Sequence, residues 1–150
     1  MPVNHIPKGL HSVNPYLMVQ SAERQIEFLK KTFDAKERGV FRQPDGRIAH
    51  AEVQIGDSVV ELGEAHGQWK PLTAGLHVYV PNVDAVYKKA LEAGGESLHE
   101  VMDMFYGERS GAVRDPCGNC WYIATHTEDV PPDELESRAA AWQQKQKAKG

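Results

Sequence analysis

The chain holds two cysteines in 150 residues, Cys117 and Cys120, too few for a disulfide framework. Their C-x-x-C spacing invites zinc or redox chemistry. Structural zinc takes a second ligand pair, however, and a thioredoxin-type motif opens a helix, whereas these two straddle a turn into a strand. They read as two thiols on one hairpin. Basic charge is scarce as well: 17 Lys and Arg against 21 Asp and Glu leave a formal net charge of -4. Nucleic acid, which needs concentrated cationic side chains, is therefore not an expected partner. No apolar run reaches the roughly 18 residues of a membrane span, and the start Met1-Pro2-Val3-Asn4-His5-Ile6-Pro7-Lys8 has no apolar signal centre. No membrane partner is expected, and the chain is read as cytoplasmic. No serine sits in a G-x-S-x-G elbow and no glycine-rich phosphate loop precedes a helix. What is present is 41% hydrophobic composition, enough for the core of one domain.

The order of elements follows from periodicity. Residues 1–9, with two prolines and a glycine, read as a mobile lead-in. Residues 12–19 alternate as a strand, and Pro15, which cannot donate to a ladder, places it at an edge or gives it a local irregularity. Ser21 reads as an N-cap, and Ala22, Ile26, Leu29 and Phe33 form the apolar stripe of a helix. Gln43-Pro44-Asp45-Gly46 is a turn into a strand over 47–55, and Gly56-Asp57 closes a hairpin into 58–62. After a loop over 63–74 the order recurs: a strand over 75–80, Asn82 as a cap, a helical stripe ending at Gly94-Gly95, and a short strand over 96–101. A constant offset of about 61 residues places Asn14 on Gly75, Val19 on Val80, Gly46 on Gly107 and Glu61 on Tyr122. Beyond Asp129 a proline-bearing acidic stretch leads into a helix over 134–147, with Leu135, Ala139 and Trp142 on one stripe.

The last hairpin carries a resemblance. Tyr106-Gly107-Glu108-Arg109-Ser110-Gly111-Ala112-Val113-Arg114-Asp115-Pro116 enters the turn Asp115-Pro116-Cys117-Gly118, and Trp121 and Ala124-Thr125-His126 follow it. This pattern resembles the glyoxalase/bleomycin-resistance/extradiol-dioxygenase superfamily, the vicinal oxygen chelate proteins, and is most similar to the PhnB-like branch. The resemblance implies an α+β fold of two tandem βαβββ modules whose mixed sheets curl around a cleft with helices outside. The expected domain is 1–128, with modules at about 10–64 and 75–126, followed by a C-terminal helical tail at 129–150.

If helices cover the apolar face of each sheet, the opposite parity faces the cleft. That parity holds Asn14, Tyr16, Met18, His50, Glu52, Gln54, Val59, Glu61, Gly75, His77, Tyr79, Cys120 and Tyr122, and Tyr106 and Trp69 are further candidates for its lining. A solvated face would carry mainly Lys, Glu and Ser; this mixture of Tyr, Met and His suits a ligand instead. By the resemblance, a glyoxalase-type metal would fall on Asn14, Glu61, Gly75 and Tyr122, of which Glu61 alone is a usual ligand type. The chain is thus expected to be a metal-free small-molecule binding protein. Asn14, Tyr16, His50, Glu52, Glu61, His77, Tyr79, Tyr106 and Tyr122 would hold an aromatic or cationic organic compound, with no catalytic residue and no cofactor. The alternative is a metal-dependent lyase, isomerase or dioxygenase with a displaced site at His50, Glu61 and His77 for zinc, iron, nickel or manganese. Related proteins often exchange modules, so a homodimer is expected. Asp115 and Glu108, near Arg109 and Arg114, read as turn and surface pairs.

Overall fold

The computed structural model describes residues 2–150; Met1, the first residue of the expected lead-in, lies outside them. Among the described residues the elements run β1 (Tyr16–Val19), α1 (Ala22–Phe33), β2 (Lys36–Arg42), β3 (Ile48–Ile55), β4 (Ser58–Glu64), β5 (Gly75–Tyr79), α2 (Val83–Glu92), β6 (Glu96–Met104), β7 (Glu108–Arg114), β8 (Cys120–His126) and α3 (Pro132–Lys149). The strands form two four-stranded sheets, ordered β1-β4-β3-β2 and β5-β8-β7-β6. In each sheet the first strand pairs parallel with the fourth and the remaining pairs are antiparallel. This is the doubled βαβββ unit, and the two sheets are not closed on each other. β1 is an edge strand, as Pro15 requires.

The repeat extends to individual hydrogen bonds. Ser21 caps α1 by accepting from the Arg24 amide, and Asn82 caps α2 by accepting from the Ala85 amide. The last strand of each module completes the cap: Glu64 Oε1 accepts from the Ala22 amide at 3.2 Å, and Thr125 Oγ1 accepts from the Val83 amide at 2.9 Å. Both pairs of partners are 61 residues apart (83 − 22 and 125 − 64). Each cap satisfies amides that a helix start leaves open, at about 1 kcal/mol apiece.

The core lies between sheets and helices. From α1, Ala22, Ile26, Phe28 and Leu29 are buried against Leu17, Val53, Val60 and Leu62, and the same cluster continues into Val83, Val113, Trp121 and Ile123 of the second module. α1 touches α2, and Phe33 packs on Trp121 with ring centroids 5.2 Å apart. A polar chain also links the modules. The Asp115 carboxylate accepts from Gln25 Nε2 and Trp121 Nε1, both at 2.7 Å, and from the amides of Cys117 and Asn119 at 2.8 and 3.0 Å. Asn119 Nδ2 donates to Gln25 Oε1, and Asn119 Oδ1 accepts from the Ala74 amide. Asp115 is therefore a buried junction as well as a turn residue, where a surface ion pair was expected.

Two further placements differ from the periodicity reading, while α3 stands where the C-terminal helix was expected. β2, of sequence Lys-Glu-Arg-Gly-Val-Phe-Arg, is an extra edge strand whose polar composition hides it. Lys8 and Gly9 are engaged: Lys8 O accepts from Arg38, and Gly9, at φ +86, leaves room for that guanidinium where a Cβ would stand 2.8 Å from it. α3 buries no residue; Trp142 meets Phe105 at 5.7 Å and Arg138 bonds Glu128 and Glu134.

Candidate functional site

In-register neighbours share a face, so the pairing lays out the side of each sheet that no helix covers. On the first sheet one row reads Tyr16, Glu61, Glu52, Gly39. On the second, successive rows read His126, Glu108, Met104, then Tyr79, Ala124, Ser110, Met102, then His77, Tyr122, Ala112, His99. The expected parity is present, and Tyr16, Tyr79 and Tyr122 are 46%, 58% and 47% exposed on these free faces.

The first sheet gathers Tyr16, His50 and Glu61. His50 Nε2 stands 3.1 Å from Glu61 Oε1, and the Tyr16 and His50 rings are 5.9 Å apart. Glu61 and Glu52 face each other across the ladder. Like charges so placed repel, and each has a basic neighbour: His50 for Glu61, and Arg38 at 3.7 Å for Glu52. Burial, and then the Glu61 carboxylate, hold the Tyr16 phenol above its usual value. Gly63 makes the close packing possible, since a Cβ there would stand 2.6 Å from Ala49 O and 2.7 Å from the Tyr16 hydroxyl.

The second sheet gathers His77, Tyr79, Glu108 and Tyr106. Tyr79 donates to Glu108 Oε1 at 2.8 Å, its ring lies 4.5 Å from that of His77, and His77 Nε2 is 3.9 Å from Glu108 Oε2. The bond to Glu108 is the main cause that raises the Tyr79 phenol; desolvation, the Glu108 charge and Tyr106 follow. Asn14 belongs to neither group, because its amide is spent on the His11 backbone. The sequence reading missed Glu108. The signal was there: carrying strand parity back through the Asp115 turn, where Arg114 faces Cys120, puts Glu108 on the face of Tyr122. Arg109, its expected partner, points to Asp84 and Asp103 instead.

His50 and Glu61 thus stand together, whereas His77 pairs with Glu108 on the other sheet. Among the described residues no three His, Cys, Asp or Glu side chains cluster as a metal site. Each pair supplies two of the three ligands that a catalytic zinc takes, so one chain does not by itself assemble the displaced site. Cys117 and Cys120 are free thiols, and burial together with Asp115 pushes the Cys117 thiol up. Between the modules opens a cavity of about 640 Å³, lined among others by Val13, Phe33, Leu76, His77, Tyr79 and Trp121.

Known proteins share this architecture. The uncharacterized protein Mb0911c of Mycobacterium bovis is 32% identical over 137 residues, covering 84% of this chain and 90% of its own length. Among solved structures, TioX from Micromonospora sp. ML1 aligns with a TM-score of 0.63 at 22% identity, over 77% of this chain and 99% of TioX. A PhnB protein from Bacillus cereus aligns with a TM-score of 0.65 at 19% identity, over 77% and 99%. The family model described as Glyoxalase/Bleomycin resistance protein/Dioxygenase superfamily matches residues 7–123. With the doubled βαβββ fold, that match shows that the chain belongs to the glyoxalase/bleomycin resistance protein/dioxygenase superfamily.

Proposed function

We propose that this chain binds a small organic molecule, aromatic or cationic, on the free faces of its two sheets without a metal. The observation that carries the reading is the composition of those faces. Tyr16, Tyr79, Tyr106 and Tyr122 stand exposed beside partly buried carboxylates, where a merely wet face would be dressed in short polar and long charged side chains. Rings give stacking area at small entropic cost, and carboxylates select charge. The same faces and their margins expose Phe41, Leu98 and Met102. A second copy laying one free face against another would cover them and deepen the site, so the functional unit is a homodimer. Titration with a panel of aromatic and cationic compounds, read by calorimetry, tests binding, and light scattering tests the dimer. Saturable binding by a dimeric species is expected; no saturation across a diverse panel contradicts the reading.

A second reading has one observation in its favour: each sheet presents a His and Glu pair, His50 with Glu61 and His77 with Glu108. Two chains that brought one pair of each kind together would offer four ligands to a divalent ion such as zinc, iron, nickel or manganese. Elemental analysis of the purified protein, repeated on His50→Ala and His77→Ala, separates the readings. Stoichiometric metal lost on either change favours the metal-dependent enzyme.

A further inference from the structure

We propose that the free face of the second sheet is a subsite for an organic ammonium group, with Glu108 as its anchor and the rings of Tyr79, Tyr106 and His77 around it. The inference rests on the small-molecule reading above and specifies the charge of what is bound and where its charged group sits.

Three features of the face lead there. The first is an acceptor left open. The Glu108 side chain is 12% exposed; its Oε1 accepts from Tyr79, while Oε2 has His77 Nε2, at 3.9 Å, as the one basic nitrogen within 4 Å among the described residues. That distance is too long for a hydrogen bond. Oε2 is not among the buried atoms left without a partner, so it opens to solvent and is free to meet an incoming cation. Arg109 does not supply the missing cation, because its guanidinium is held by Asp84 at 2.8 Å and Asp103 at 3.2 Å.

The second is the surround. Tyr79 and Tyr106 are exposed, and the negative faces of aromatic rings attract a cation placed over them. The third is the contrast with the first sheet, where Glu61 already has His50 at 3.1 Å and Glu52 has Arg38 at 3.7 Å. A single open oxygen also selects the type of cation. A guanidinium favours a two-oxygen fork, and here Tyr79 holds one prong; an ammonium with one N–H needs only Oε2.

The test is calorimetric titration of the full chain with benzyldimethylamine, protonated at neutral pH, and with neutral benzyl alcohol, against wild type, Glu108→Gln and Glu61→Gln. Glutamine keeps an acceptor for Tyr79, so the face is retained while its charge is removed; equal melting temperatures check this. Saturable binding of the amine is expected, weakened by about tenfold or more in Glu108→Gln and by less in Glu61→Gln, with the alcohol weaker throughout. Should Glu108→Gln fail to fold, Tyr106→Leu, which removes an exposed ring, is expected to weaken the amine by about fivefold. Equal binding of amine and alcohol, insensitive to Glu108→Gln, overturns the ammonium subsite and leaves the small-molecule reading standing. Sensitivity to Glu61→Gln alone moves the anchor to the other sheet and overturns it too. If wild type binds neither compound, the subsite is refuted, whereas saturation by another member of the panel keeps the broader reading.

Discussion

Replacing Asp115 with asparagine changes almost no volume, yet it strikes the one acceptor on which both modules converge. All four neighbours of the carboxylate are donors: Gln25 Nε2, Trp121 Nε1, and the amides of Cys117 and Asn119. An asparagine must aim its own NH2 either at Gln25 and Trp121 or at the two amides. Rotating Gln25 to accept would turn its Nε2 onto Asn119 Nδ2, and rotating Asn119 in response would turn a donor onto the Ala74 amide. The polarity of the chain is pinned at both ends by groups that can only donate. Two charge-assisted bonds are lost whichever rotamer is taken, at about 1.5–3 kcal/mol each, so Asp115→Asn is expected to cost about 3–6 kcal/mol. At roughly 3 °C per kcal/mol for a chain of this size, melting falls by about 10–20 °C. Urea unfolding followed by tryptophan fluorescence gives the same quantity from the midpoint. A cost below about 1 kcal/mol, the size of an ordinary surface change, would refute the donor-only environment.

Other expectations follow from single contacts. Gly63→Ala drives a Cβ onto the Ala49 carbonyl oxygen, which is backbone and cannot swing away, so a loss of about 1–3 kcal/mol is expected in the same unfolding assay. Tyr79 holds its proton more tightly in the fold than in the unfolded chain. Its contribution to stability is therefore present below the ordinary phenol pKa of about 10 and lost as pH rises through the raised value. Alkaline titration of phenolate absorbance on wild type and Tyr79→Phe should show the substitution removing a late-ionising tyrosine; removal of an ordinary one contradicts the Glu108 bond. Trp142→Ala should free α3, whose apolar contact to the body is made to Phe105, and so raise amide exchange across residues 132–149 while leaving the core protected.

How much of this was legible in the sequence depended on whether the signal was local. Ser21 and Asn82 announce their helices because a cap and the stripe after it lie within a few residues, and both helices begin where those caps predict. Pro15 marks an edge strand because a missing donor is intrinsic to the residue. β2 was invisible for the opposite reason: its apolar residues Val40 and Phe41 are adjacent and fall on opposite faces of a charged edge strand, so there is no alternation to read. Gln25 is polar among the buried residues of α1, and nothing in its neighbourhood reveals an acid 90 residues away. Glu108 lay between these cases. Its face follows from parity once the Arg114 and Cys120 register is known, and register across a turn is set by tertiary pairing. The grouping of His50 with Glu61, and of His77 with Glu108, needed the sheets themselves.

The most direct test is an NMR titration of protein methyl-labelled at methionine, leucine and valine with whichever compound of the panel saturates it. Met18 lies beside Gly63 on the free face of the first sheet, and Met102 and Met104 lie in the rows of Ser110 and Glu108 on the second. Binding on those faces should shift at least one of these three methyl resonances in proportion to saturation. Saturable binding that leaves all three in place, while perturbing Leu76 and Val78 in the cavity between the modules, would contradict the account.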